Sequence, residues 1–537
     1  MIPILSKLAW AARWRINHRN HNRRIVKMAQ AVEQHSAVPA SPRPPVVFFN
    51  ASTRLNGLSL NAAFSLLSSW ALRLAGTPVI HFVCQAGMSR CVLGTTRDQV
   101  GRPPPCATCI HQSRQTYNGA EVRWFKFQPD PGLDQAISRL SLTELISYRR
   151  AGIPLGQLVL PSLRWIMRRN TLEGDPGTRY IFRQYILSAW NIIQQFGALL
   201  DETKPQKVVV FNGMFYPEAA ARWAAQNRGI AVITHEVGLR PFTGYFTNGE
   251  ATAYPIDIPA GLELSAVQNQ RLDAYLEQRF QGNFSMAGVR FWPEMKCLSP
   301  EFLDKAAGFK QVVPVFTNVI FDTSQGHANV IYPHMFAWLD AVLEIIRSHP
   351  ETFFVIRAHP DESRPGKESL ESVAMWVRHK EVERLPNVLF VNSGQFFSSY
   401  ELIQRSKFVM VYNSTIGLEA AVLGMPVLCA GKARFTQLAT VFFPASAAQY
   451  QLQAEQFLAA EKVDVPAEHR LNARRFLYYQ LFKTSLPFDA FIEEDGIWKG
   501  YVRLKKFELA DLSAERSPAL AAVLNGILND RDFLLDE

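Results

Sequence analysis

Short apolar runs recur along this chain, and most of them end on polar residues. PVVFFN (45–50), PVIHFVCQAG (78–87), KVVVFNG (207–213) and AVITHEVG (231–238) are too short for buried helices and rich in β-branched and aromatic residues, so they predict buried strands. Between them, LSLNAAFSLLSSWALRLAG (58–76) has amphipathic helical spacing and stops at Gly76, and PEAAARWAAQNRG (217–229) repeats the pattern. The grammar begins again at Gln311. QVVPVFTNVIF, TFFVIRAHPDE, PNVLFVNSG, KFVMVYNST and VLCAG predict strands, with helices over MFAWLDAVLEIIRSHP, SSYELIQRS and IGLEAAVLG. Strand, helix, strand in alternation is the mark of a parallel, doubly wound sheet, and it occurs twice.

These repeats divide the chain. Residues 1–43 read as a basic arm and Pro-rich linker, and 44–285 as a first α/β domain interrupted by a helical insertion over Glu121 to Gln195. Residues 286–310 then read as an interdomain linker, 311–445 as a second α/β domain, and 446–537 as an amphipathic helical tail packing back across both domains. A chain of 537 residues that is 48% hydrophobic and 19% charged buries a large core and calls for two domains or more. No run of eighteen uncharged apolar residues occurs, and Lys7 and Arg13 interrupt the first apolar stretch, which points to a cytoplasmic protein without a spanning segment.

The net charge of +10 is uneven: Lys7, Arg13, Arg15, Arg19, Arg23, Arg24 and Lys27 all precede the first acidic residue, Glu33, with Trp10 and Trp14 among them. Such a segment suits the anionic inner face of a cell membrane or, equally, a solvated arm. No RNA- or DNA-binding motif accompanies the charge, so nucleic acid is not expected. Four of the six cysteines cluster, Cys84 and Cys91 in CQAGMSRC and Cys106 and Cys109 in PPPCATC, which fits either a structural zinc site or scattered reduced thiols.

Candidate chemistry sits at the strand ends. Asn413, Ser414 and Thr415 follow an apolar run and precede a helix, where amides and hydroxyls suit a phosphate, and Glu419 one turn later suits the hydroxyls of a sugar or a helix-face position. Arg357 and His359, with Pro360, stand at the mouth of another strand, where a cation and an imidazole can meet a phosphate. In the first domain Asn50 to Gly57, Asn212-Gly213 with Glu218, and His235-Glu236 end strands. Glu236 is the expected general base for an inverting transfer and His235 the second choice, whereas a retaining transfer needs neither.

RAHPDE at one strand end and YNSTIGLEAAVLGMPVLCAG at a later one resemble a GT-B glycosyltransferase, and in particular the bacterial capsule polysaccharide biosynthesis family that includes the Kdo transferases. The resemblance implies two Rossmann-like domains facing a cleft, with the acceptor on the first and a nucleotide-sugar donor on the second. It places donor binding on Arg357, His359-Pro360, Asn413, Ser414-Thr415, Gly417 and Glu419, favours a CMP-sugar, and implies catalysis without a cofactor or catalytic metal. The expected acceptor is a surface polysaccharide or a glycolipid carrying one. Three other readings use the same elements: a non-hydrolysing nucleotide-sugar 2-epimerase, a CDP-alditol phosphotransferase, and a non-catalytic scaffold of polysaccharide export.

Overall fold

The computed structural model describes residues 4–36, 43–51, 55–280, 297–366, 368–496, 498 and 500–536. The chain forms two compact units: Met1–Ile166, Glu173–Tyr254 and Leu481–Glu537 make the first, and Met167–Leu172 with Pro255–Gln480 the second. Each is an α/β unit with its own largely parallel sheet.

In the first unit the strands are β1 (Val46–Asn50), β2 (Leu58–Ser59), β3 (Val79–Cys84), β4 (Glu121–Phe125), β5 (Lys207–Phe211), β6 (Ala231–Val237) and β7 (Thr243–Thr247). In the second they are β8 (Gln311–Phe316), β9 (Thr352–Arg357), β10 (Val388–Val391), β11 (Val409–Val411) and β12 (Val427–Cys429). The chain then supplies β13 (Leu486–Pro487), β14 (Ile492–Glu494) and β15 (Tyr501–Leu504) to the first unit. The large sheet of the first unit runs β13-β7-β6-β5-β1-β3-β4, parallel from β6 to β4, with β7 and β13 added antiparallel. The sheet of the second runs β10-β9-β8-β11-β12, parallel throughout.

Strands β1, β3 and β9 are buried along their whole length, as an all-apolar run covered on both faces requires. The helix Leu60–Leu74 covers the first sheet with Phe64, Leu67 and Trp70, capped by Ser59, whose hydroxyl accepts the Ala62 amide. In the second unit Trp338 is fully buried on the helix Met335–Ser348 and donates its indole N–H to the Tyr450 hydroxyl at 2.9 Å.

Four expectations need correction. The N-terminal segment is a helix, Ile4–His35, and its second half belongs to the core: Ile25, Ala29 and Val32 are fully buried, and His21 accepts the Leu504 amide of β15 at 3.1 Å. The region read as a helical insertion opens with strand β4, whose exposed face hid its strand character, before the helices that end at Thr203. The N-terminal stretch of the first unit ends at Tyr254, and the helix Ala266–Phe280 belongs to the second; most of the expected linker lies outside the described residues. The tail is not wholly helical and divides near residue 480, its last part returning to the first unit with three short strands.

Candidate functional site

In an open parallel sheet, ligands are taken at the carboxyl ends of the strands, where strand order reverses. In the second unit that reversal lies at β8, with β9 on one side and β11 on the other. The register levels the exits: Phe316 pairs with Arg357 of β9 and with Val411 of β11. The segments after these three strands, Thr317-Asn318, His359-Pro360 and Asn413-Ser414-Thr415, therefore emerge along one edge, the outer two separated by about 10 Å, two inter-strand spacings.

His359 caps the short turn Pro360–Ser363: its Nδ1 accepts the Asp361 amide at 3.1 Å. An Nδ1 that accepts places the proton of the neutral ring on Nε2. Burial lowers the His359 pKa, against the opposing pull of Asp361 and Asp322, and Arg357 lowers it further; the ring is half-buried by surface area but densely surrounded. Arg357 is buried and donates to the Asn392 carbonyl at 2.9 Å, and burial brings its pKa down to about 10. The Arg357 carbonyl accepts from the Thr317 hydroxyl at 3.0 Å, which ties β9 to the loop after β8. Pro360 opens the turn, where a missing N–H costs nothing. Glu362 in the same turn accepts the Val373 amide at 3.1 Å, and burial pushes its carboxyl up to about 8.

Across β8, Asn413 accepts from the Gln325 amide at 3.4 Å, and Ser414 is buried beside it. Thr415 occupies the N-cap of the helix Ile416–Val422 without a side-chain capping bond. Two of the sequence candidates turn out to be structural. A Cβ on Gly417 would stand 3.0 Å from Val411 and 3.2 Å from Phe435, so this glycine serves close helix-to-sheet packing. Glu419 is 5% exposed: one oxygen pairs with the Arg279 guanidinium at 2.5 Å and the other accepts the Tyr400 hydroxyl. Arg279 also donates to the Tyr275 hydroxyl at 3.0 Å. Burial works to lower the Arg279 pKa, but the charge of and hydrogen bond to Glu419, together with Tyr400 and Tyr275, outweigh it and the net shift is upward. With both oxygens engaged, Glu419 holds the helix Ala266–Phe280 against the sheet, and a ribose contact would have to displace a partner.

In the first unit the strand order reverses at β1, between β5 and β3. Near this edge the Glu236 carboxylate accepts from Asn212 at 2.8 Å, from Asn61 at 3.1 Å and from the Val237 amide at 2.9 Å. Asn212 has φ 57°, a left-handed conformation that asparagine tolerates better than most residues, and its own oxygen accepts the Met214 amide at 3.0 Å. Glu236 is thus partly exposed and fixed in orientation from three sides. Asn61 was not among the candidates; only a fold that brings the start of a helix to the end of β6 reveals it. His235, next in the strand, faces the opposite side. It is 1% exposed between the rings of Phe211 and Phe246, and burial lowers its pKa to about 3, so it is a neutral core histidine rather than a base. Asn50 is likewise internal, bonded to His81 and Ser65. Glu218, at the start of the helix Tyr216–Gln226, is buried, and its carboxyl is pushed up to about 8.

Cys84, Cys91, Cys106 and Cys109 line a single cavity in the first unit. None of the six cysteines forms a disulfide, and burial pushes the Cys84 and Cys91 thiols up. Among the described residues no three or more Cys, His, Asp or Glu side chains have the arrangement of a single-ion site, so of the two readings the spacing left open, a tetrahedral zinc site and scattered reduced thiols, the zinc site is not seen. Among the same residues, no helix is long and apolar enough to cross a membrane.

Two Rossmann-like α/β units, the second with polar residues of three adjacent strand exits along one edge, define the class. Residues 305–455, which span that second sheet, match the family model of capsule polysaccharide biosynthesis proteins. No curated protein matches the chain. Among solved structures it is similar to the KpsC β-Kdo 2,4-transferase of Thermosulfurimonas dismutans (10% identity, TM-score 0.34, covering 52% of this chain and 80% of that one). It is also similar to the KpsC β-Kdo 2,7-transferase of the same organism (15%, 0.30, 52% and 80%). A third is the UDP-GlcNAc 2-epimerase of Neisseria meningitidis (13%, 0.23, 81% and 98%).

Proposed function

We propose that the protein is a glycosyltransferase of capsule polysaccharide biosynthesis, moving a sugar from a nucleotide-sugar donor, with CMP as the favoured nucleotide, to a growing polysaccharide or its lipid-linked precursor. The observation that carries this reading is the levelled edge of the second sheet: His359 and Ser414-Thr415 leave the two strands flanking β8, inside the capsule polysaccharide biosynthesis segment. On this reading Arg357, His359 and Pro360 form one wall of the donor site and Asn413, Ser414 and Thr415 the other. The hydroxyls and the Nε2–H donate to the nucleotide phosphate, and the charge developing on the leaving phosphate is stabilised by His359 and the nearby Arg357. The acceptor hydroxyl attacks the anomeric carbon, the carbon–oxygen bond to phosphate breaks with its electron pair leaving on the phosphate, and in an inverting transfer the hydroxyl proton passes to Glu236.

The exposed basic side chains of the N-terminal helix extend the proposal. Arg15, Arg19, Arg23 and Lys27 follow one another at four-residue intervals, all exposed, and would bring the enzyme to the anionic membrane face where a lipid-linked acceptor resides.

The test is a transfer assay: purified protein, CMP-, UDP- and GDP-sugars, and capsular oligosaccharide acceptors, with products read by mass spectrometry. The reading expects an acceptor heavier by one sugar with release of the nucleotide, lost in His359→Ala and, for an inverting transfer, in Glu236→Gln. Interconversion of a nucleotide sugar without acceptor would instead establish an epimerase, and nucleotide binding without turnover a scaffold.

A further inference from the structure

Four cysteines from two separated segments meet in the first unit. Cys84 ends β3, Cys91 lies in the loop that follows, and Cys106 and Cys109 occupy the first turns of the helix Cys106–Thr116. All four line one cavity whose other walls include Ala51, Met88, Pro104 and Ile110. Two of the sulfurs already carry a backbone donor. The Gly87 amide donates to Cys84 Sγ at 3.2 Å, and the Gly94 amide donates to Cys91 Sγ at 3.2 Å, so the same Cys-x-x-Gly turn is built twice.

Each turn depends on its glycine. A Cβ on Gly87 would fall 2.1 Å from the Phe125 ring, and one on Gly94 would fall 2.6 Å from Pro104 Cβ and 2.9 Å from Cys91 Sγ. Amides aimed at sulfur stabilise the thiolate form, which is the form that binds metal, and hydrogen bonds to sulfur are among the features that tune iron–sulfur centres.

We infer that Cys84, Cys91, Cys106 and Cys109 are the thiolate ligands of an iron–sulfur cluster in the first unit. A single zinc ion needs all four sulfurs to converge on one point, and these four surround a cavity instead, with no single-ion arrangement among the described residues. In a four-iron cluster each cysteine binds a different iron, so the ligands are held apart by the inorganic core. The apolar walls of the cavity keep water from the sulfides. Because Cys84 ends a strand at the carboxyl edge of the first sheet, the cluster would fix the loops that continue from that edge.

The experiment is anaerobic purification of the full chain with measurement of iron, acid-labile sulfide and zinc, and of visible sulfide-to-iron absorption, before and after reconstitution with ferrous iron and sulfide. Iron and sulfide in equal amounts, about four of each per chain, with visible absorption, is the expected result. Cys91→Ser and Cys106→Ser should each lose most of the bound iron while retaining wild-type circular dichroism, and Cys297→Ser, outside the cavity, should keep it. One zinc per chain without sulfide overturns the cluster, as does a reconstituted wild-type protein without metal. The wild-type measurement decides the matter even where a cysteine variant fails to fold.

Discussion

Removing the Glu419 carboxylate separates a structural from a ligand-binding role. Glu419→Ala leaves the Arg279 guanidinium, 5% exposed, without its carboxylate, and leaves the Tyr400 hydroxyl without its acceptor. Breaking a buried ion pair from one side costs about 3–5 kcal/mol, and the orphaned hydroxyl adds about 1–3 kcal/mol. For a unit of this size each kcal/mol lowers the melting temperature by roughly 2–4 °C, so the ion pair alone predicts a fall of roughly 6–20 °C. Scanning calorimetry reads it, because the second unit's transition should move while the first unit's stays. The double variant Arg279→Met/Glu419→Leu, which removes both charges, should recover most of the loss, since apolar replacement of a whole buried pair is often neutral or stabilising. A Glu419→Ala protein that melts as the wild type does would refute the reasoning. If that same protein had lost nucleotide affinity, Glu419 would be a ribose ligand after all.

Three further outcomes follow from the geometry. Asn212→Gly keeps a left-handed backbone but removes one of the three donors that fix Glu236; transfer should slow by about tenfold or more with melting little changed, whereas an unchanged rate would remove Glu236 from the chemistry. Stability of the first unit should peak near pH 6.5. Burial holds His21, His81 and His235 at about 3 against 6.5 unfolded, and holds Glu218 at about 8 against 4.5. Between the two unfolded values the unfolded chain binds three protons that the folded histidines refuse, and lacks the one that folded Glu218 keeps. Stability therefore falls by roughly 2.7 kcal/mol per unit as pH drops below 6.5, and by roughly 1.4 kcal/mol per unit as pH rises from there toward 8, where Glu218 alone contributes; urea midpoints across this range test both slopes. Replacing Arg15, Arg19, Arg23 and Lys27 with glutamate should abolish sedimentation with anionic vesicles while leaving the fold intact, because all four are exposed. Deleting the helix is the wrong version of this test, since Ile25, Ala29 and Val32 are core residues.

What could be read in the sequence was what depends on local pattern. Strands such as Val46–Asn50 and Thr352–Arg357, buried on both faces, appear as unbroken apolar runs, and their ends are legible where polar residues follow. Strand β4 escapes the pattern because four of its five residues keep some exposure, and β13 to β15 because they are too short to carry a period, β13 and β15 also pairing with strands distant in sequence. The N-terminal helix reads as a charged arm because its buried face includes His21, Asn22 and Ala29. At the sites, the sequence finds groups but not their partners. Nothing local couples Glu419 to Arg279, Glu236 to Asn61, or Cys84 to Cys109; long-range packing makes those contacts, and it turns His235 and Gly417 from candidate site residues into core elements.

The most direct test of the central claim is titration calorimetry of CMP, with UDP and GDP for comparison, into the wild-type protein and into His359→Ala and Ser414→Ala. The account predicts saturable, cytidine-selective binding by the wild type, with affinity reduced at least about tenfold, or about 1.4 kcal/mol, in each variant. Equal affinity in wild type and both variants, or no nucleotide binding by folded wild-type protein, would contradict it.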